Sequence, residues 1–246
     1  MKIIYLLFLT LISNIAVSQI KFGIKGGLNL ADASQGITVS GKYISENVTI
    51  TSGETGGSTI SETTLENFKQ TAYVATSIKP SFYLGGFATI PLNKKGNLSL
   101  KTELLYCHNG TKIDSKEETE SNDEISIDYV SNGASISIGQ INLPVLLKYT
   151  SSKKVAFEGG LYTGIILFAN SKQKNGTTID EKSRLKTFDL GLNVGASYPL
   201  STNLNLEVRY NHGLINIDKT KLSDSFFNIQ GLYFNRTYHI GLEYQL

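Results

Sequence analysis

Tyr238-His239-Ile240-Gly241-Leu242-Glu243-Tyr244-Gln245-Leu246 has a period of two. Tyr238, Ile240, Leu242, Tyr244 and Leu246 alternate strictly with His239, Gly241, Glu243 and Gln245, so an extended backbone carries one apolar and one polar face. A soluble sandwich can also contain such a strand. The fold is therefore decided by whether the rest of the chain repeats the pattern.

It does, seven more times. Working from the start, expected strands are Ile20 to Leu30, Pro80 to Ile90, Leu98 to His108, Ser135 to Tyr149, Val155 to Phe168, Arg184 to Tyr198 and Leu204 to Leu214, with Gly231 to Leu246 as the eighth. The fourth slips near Gly139, which predicts a bulge, and holds Pro144, which predicts a local break in its ladder. The segment Ala31 to Lys79 is rich in Ser, Thr and Gly and too thin in apolar residues for a core. Val48 and Ile50 alternate before Gly56-Gly57, a pattern with room for an extended hairpin. Asn109 to Gly133, Ala169 to Ser183 and Ile215 to Gln230 are expected as polar loops.

Lys2, the short apolar run Ile3 to Ile12 and the small residues Ala16-Val17-Ser18 form a secretory signal pattern, with residues 1–18 removed and 19–246 forming one barrel domain. No Cys follows the cut, so no lipid anchor is expected, and the single cysteine, Cys107, leaves no internal disulfide. The formal charge of +2, falling to +1 once Lys2 leaves, gives no electrostatic reason to expect nucleic acid. A mean hydropathy of −0.08 suits a membrane barrel, in which only half of each strand is apolar.

The connections alternate long and short, with short ones after the second, fourth and sixth strands. That order suits an all-β, closed antiparallel eight-stranded transmembrane β-barrel with long extracellular loops, short periplasmic turns and both termini periplasmic. Eight strands leave an interior that side chains can fill. Lys25, Lys101, Glu103, Lys148, Glu158, Glu207, Arg209 and Glu243 fall on the polar faces near the periplasmic ends. Lys25 is expected near Glu243, and Arg209 near Glu243 or Glu207, in one mixed-sign network that plugs the lumen. Tyr106, Tyr149, Tyr198, Tyr210 and Tyr244 are placed for interfacial girdles.

Several segments, taken in order, resemble the Bacteroidota outer-membrane β-barrel proteins often labelled PorT-like. They are Gly23-Ile24-Lys25-Gly26-Gly27-Leu28-Asn29, Ile141-Asn142-Leu143-Pro144-Val145-Leu146-Leu147-Lys148-Tyr149, Asp189-Leu190-Gly191-Leu192-Asn193-Val194-Gly195, and Arg209-Tyr210 with Gly213-Leu214 and Asn216-Ile217. The resemblance spans essentially the whole mature chain and implies an eight-stranded barrel without established chemistry for most members, one branch being linked to a protein-secretion machine. His239, Gly241, Tyr244 and Leu246 resemble the C-terminal signal by which such barrels are recognised for membrane insertion, although many of those signals end in Phe. Outer-membrane lipid and the barrel-assembly machinery are the partners this implies, for a monomer.

Catalysis has little to work with. His108, His212 and His239 are the available histidines, and neither His212 nor His239 stands in a His-x-Ser arrangement, so no catalytic, cofactor or metal residue is assigned. The acidic run Glu117 to Glu124 lacks the spacing of a calcium loop, and the Gly pairs Gly26-Gly27, Gly85-Gly86 and Gly159-Gly160 precede no helix and suit close strand packing. The expected function is a non-enzymatic outer-membrane barrel that recognises partners through its long loops. The alternatives are an outer-leaflet lipid-modifying enzyme, an accessory barrel of a secretion system and a narrow solute pore.

Overall fold

The computed structural model describes residues 20–51, 58–74, 76–113, 134–173, 175–224 and 227–246, with backbone alone for 43–66. The signal pattern, the Gly56-Gly57 turn and the acidic run Glu117 to Glu124 lie outside the described residues.

Twelve strands form: β1 (Lys21–Thr51), β2 (Ser58–Val74), β3 (Thr76–Ser77), β4 (Lys79–Pro91), β5 (Leu98–Ile113), β6 (Ser135–Thr150), β7 (Ala156–Lys172), β8 (Thr178–Asp180), β9 (Phe188–Pro199), β10 (Leu204–Gly213), β11 (Lys221–Ser223) and β12 (Phe227–Gln245). Eight of them run in the order β1-β4-β5-β6-β7-β9-β10-β12, and β12 pairs back onto β1 from Gly23↔Gln245 to Gly41↔Phe227. The result is an antiparallel ring with no open edge in the barrel wall, which is how a sheet satisfies its backbone in lipid.

The period-two alternation sets the two faces of the wall. Phe22, Ile24, Leu84, Leu104, Val145, Phe157, Val194, Val208 and Leu242 point outward and are exposed, while Lys25, Asn29, Lys101, Glu103, Asn193, Glu207, Arg209 and Glu243 point inward and are buried. A soluble protein does not expose a continuous apolar belt of this size. Acyl chains are the solvent for which the pattern is built.

Local irregularities fall where the side chains demand them. The β6–β7 register shifts between Gly139 and Gln140, the expected bulge. The β5–β6 ladder runs to Thr102↔Val145 and resumes at Leu105↔Asn142, skipping the residues beside Pro144, which has no N–H to give.

Three expectations need correcting. Strands continue past the ends set by apolar alternation, because ladder bonds to a barrel neighbour support polar residues too. β1 does not end at Leu30 but pairs with β2 from Gln35↔Val74 to Thr51↔Ser58, a tall extension of the wall. β7 likewise runs on to Lys172 and turns into β8, so Ala169 to Ser183 is largely ordered structure. At the start of β9, Lys182–Arg184 form a 3-10 turn, not strand, and Leu185 bridges to Asp218, because Leu185 is drawn into an apolar cluster over the barrel mouth.

Candidate functional site

The lumen is filled in three layers. Nearest the short turns lie the eight charges expected there, carried by β1, β5, β6, β7, β10 and β12. Lys25 Nζ is 3.0 Å from Glu103 Oε1 and 3.1 Å from Glu243 Oε1, and also contacts Glu207. Lys101 Nζ is 3.0 Å from Glu158 and 3.2 Å from Glu103, and contacts Glu243. Lys148 Nζ lies 3.1 Å from Glu158 at the rim of the cluster. Arg209 spreads furthest: Nη1 donates to Glu103 Oε2 at 2.6 Å, Nη2 reaches Glu158 Oε2 at 2.9 Å, and Nε lies 2.8 Å from Glu207 Oε1. Arg209 thus meets Glu207, as the spacing suggested, and otherwise reaches across the lumen to β5 and β7 in place of Glu243.

Four cations face four carboxylates here, so the layer is neutral, and a buried ionic cluster is tolerable only on that condition. Glu103, Glu158 and Glu243 offer oxygens within 4.8 Å of one another, a spacing that could suit a metal ion. Lys101 contacts all three and already supplies the positive charge.

Above this layer Tyr83 stacks on His239, centroids 4.2 Å apart and planes 14° from parallel. The ring fits because the facing Gly241 carries no side chain; a Cβ there would collide with the Tyr83 hydroxyl, and one on Gly27 would strike the β12 backbone at Ile240 and Gly241. Asn211 Nδ2 donates to Thr237 Oγ1 at 2.9 Å and lies 3.0 Å from His239 Nε2. Asp189 is buried with no cation against it among the described residues; its Oδ2 accepts from Asn235 Nδ2 at 2.7 Å, Tyr162 OH at 3.1 Å and Gln140 Nε2 at 3.2 Å. At the long-loop mouth Ala33, Ile138, Ile166, Ala169, Leu185, Ile217 and Tyr233 close a buried apolar cluster.

The chain matches the family described as "Outer membrane protein beta-barrel domain" over residues 13–219. It belongs to that family. The protein is therefore an outer membrane β-barrel, and the apolar belt faces outer-membrane lipid. Among solved structures this outer membrane barrel is similar to Neisserial surface protein A (12% identity, 92% of this chain and 97% of that chain covered, TM-score 0.46). It is also similar to OprG from Pseudomonas aeruginosa (12%, 93% and 97%, 0.40) and to the outer membrane protease OmpT from Escherichia coli (10%, 91% and 97%, 0.37). No curated protein matches the chain.

The barrel keeps its three histidines apart. His239 is buried under Tyr83, His108 lies on the outer face between Phe82 and Phe168 at 6.0 and 6.3 Å, and His212 Nδ1 lies 3.0 Å from the Tyr210 hydroxyl. Of the residues resembling an insertion signal, His239 and Gly241 face the lumen while Tyr244 and Leu246 face outward. Tyr149, Tyr198 and Tyr244 stand exposed at the short-turn end; Tyr210 packs on Tyr238 at 4.9 Å and Tyr106 on Phe82 at 5.8 Å nearer the other end.

Sequence reasoning did not count Asp189, Tyr83 or Tyr162 as parts of the interior cluster, although all three stand on inward-facing positions of their strands. Leu185 and Ile217 were also missed. Leu185 stood at the start of an expected strand and Ile217 in a polar loop, and neither position signals a contact with the other.

Proposed function

We propose that this is a non-enzymatic, non-conducting outer membrane barrel that carries a tall β-sheet for recognition at the cell surface, with the short turns and the ends of β1 and β12 in the periplasm. The observation that carries the reading is the length of β1. It is 31 residues long, whereas about 9–11 tilted residues cross the hydrocarbon. The remainder, paired with β2 and in part with β12, holds a stiff sheet on the order of 60 Å along the strand beyond the bilayer. Loops set on a rigid scaffold are where barrels place recognition.

The filled lumen argues against a solute pore, since a neutral ion cluster, a stacked aromatic layer and an apolar cap lie in series. No described His stands beside a nucleophile and a carboxylate, so nothing here favours a lipid-modifying enzyme. The motifs quoted above favour the PorT-like branch of the barrel proteins, and the interior offers nothing that selects the secretion-linked members.

The test is to replace residues 43–66 by Asn-Gly, which joins the cross-strand pair Lys42↔Asn67 through a two-residue hairpin. The shortened protein is expected to insert normally and to keep its heat-dependent gel mobility. Adducts formed in living cells by a photocrosslinker placed at Thr71 are expected to vanish with the shortening. Unchanged adducts would overturn the recognition role.

A further inference from the structure

The short turns carry a charge asymmetry that the ion cluster does not absorb. Lys94 and Lys95 lie in the β4–β5 turn, Lys153 and Lys154 in the β6–β7 turn, and Lys21 at the start of β1; all five are exposed. No Asp or Glu stands among the described residues of that rim, and none of the five lysines forms an ion pair there. The nearest Asp and Glu side chains are those of the lumen, already paired with lumen cations. The two turns adjoin, with Thr150 N donating to Asn97 O at 2.8 Å, so four ammonium groups sit on neighbouring tips.

The second turn is also strained. Lys154 has φ 66° and is the one non-glycine residue with positive φ among the described residues. Its turn is closed by Lys154 N to Ser151 O at 2.9 Å and Ser151 N to Val155 O at 2.8 Å. The same two bonds close the turn at Gln173–Thr177 (Gly176 N to Gln173 O, 3.0 Å; Gln173 N to Thr177 O, 2.9 Å), and there the left-handed residue is Gly176, φ 87°. Gly96, φ 69°, takes the same place in the β4–β5 turn. A lysine where glycine fits better is a local cost, and strain of this kind points to a use for the side chain.

We infer that the lysine rim of the short turns binds the phosphate headgroups of anionic phospholipid in the leaflet it adjoins. Position selects lipid over a more distant polyanion. Tyr149 and Tyr198, exposed at the ends of β6 and β9, mark the interface, and lysine stems just beyond such a girdle snorkel to headgroup depth. A juxtamembrane lysine at an anionic surface favours association about five-fold.

The full chain is reconstituted in phosphatidylcholine bilayers, and its preference for spin-labelled phosphatidylglycerol over spin-labelled phosphatidylcholine is measured. The wild type is expected to prefer the anionic probe several-fold, with the preference falling at 1 M salt. The variant K94S/K95S/K153S/K154G is expected to lose it. If that variant does not refold, K94S/K95S and K154G separately carry the test, and each must lower the preference. K154G also relieves the turn, so in zwitterionic micelles it should unfold at higher urea than the wild type while binding less anionic lipid. A wild type without preference, or a preference untouched by these substitutions, overturns the assignment. So does retention on insoluble cell-wall polymer without any lipid preference, which would move the rim to a different partner.

Discussion

Arg209 on β10 and Glu103 on β5 form a bidentate pair across the lumen, Nη1 to Oε2 at 2.6 Å and Nη2 to Oε1 at 2.8 Å, although their strands are not neighbours in the ring. The pair braces opposite walls of the barrel. Guanidinium geometry suits this task because its fork meets both carboxylate oxygens while Nη2 also donates to Glu158 Oε2 at 2.9 Å and the Nε edge lies against Glu207.

Arg209→Ala leaves three buried carboxylates short of a partner and is expected to destabilise the barrel by about 3–5 kcal/mol. Arg209→Met with Glu103→Met removes one charge of each sign and should recover part of the loss. Urea unfolding of the reconstituted protein reads both. A single-variant loss below about 1 kcal/mol would mean that the cluster is not bracing the wall.

Tyr83 and Gly241 form a second mutual requirement. Gly241→Val is expected to reduce the refolded, heat-modifiable fraction, because its side chain would enter the space of the Tyr83 ring and the adjoining β1 backbone. Tyr83→Ala, which empties the same space, should cost about 3–5 kcal/mol by losing a large buried aromatic. Equal refolding of Gly241→Val and the wild type would contradict this packing.

How much of this was legible in the chain follows from range. Alternation such as Leu104 out and Glu103 in is local, so strand faces and the inward position of all eight charges could be read directly. Pro144 and Gly139 announced their irregularities because each carries its backbone constraint with it. Arg209 reaching Glu103 depends on ring curvature and side-chain length, which no spacing encodes. The cap is harder still: Leu185 and Ile217 lie far apart in sequence and meet only once two loops fold over the mouth. The upper part of β1 was legible only as a short alternation at Val48 and Ile50, because its Ser and Thr residues carry little apolar pattern, yet its ladder continues from strands already held in the wall.

The cap should respond to pH. Lys182, in the 3-10 turn outside the membrane, has its pKa lowered by burial and then by Lys219, with Asp180 opposing. Its charged form therefore disfavours the folded cap. The penalty is full below the lowered folded value and disappears as pH rises towards the ordinary lysine value of about 10.4. Lys182→Gln should accordingly protect loop amides from hydrogen exchange at pH 7 more than the wild type does, with the difference shrinking as pH rises. A difference that widens with pH would reverse the sign and contradict the placement of this ammonium.

The most direct measurement of which half of each strand meets lipid uses the absence of Trp from the chain. Single Trp residues are placed at Leu104, 56% exposed on the outer face, and at its neighbour Leu105, 1% exposed, with Phe87→Trp as a milder interior site. In bilayers of acyl-brominated lipid, strong quenching is expected at 104, and almost none at 105 or 87. Equal quenching at 104 and 105, or quenching confined to the inward sites, would contradict a barrel whose apolar half faces the membrane and whose charged half fills the lumen.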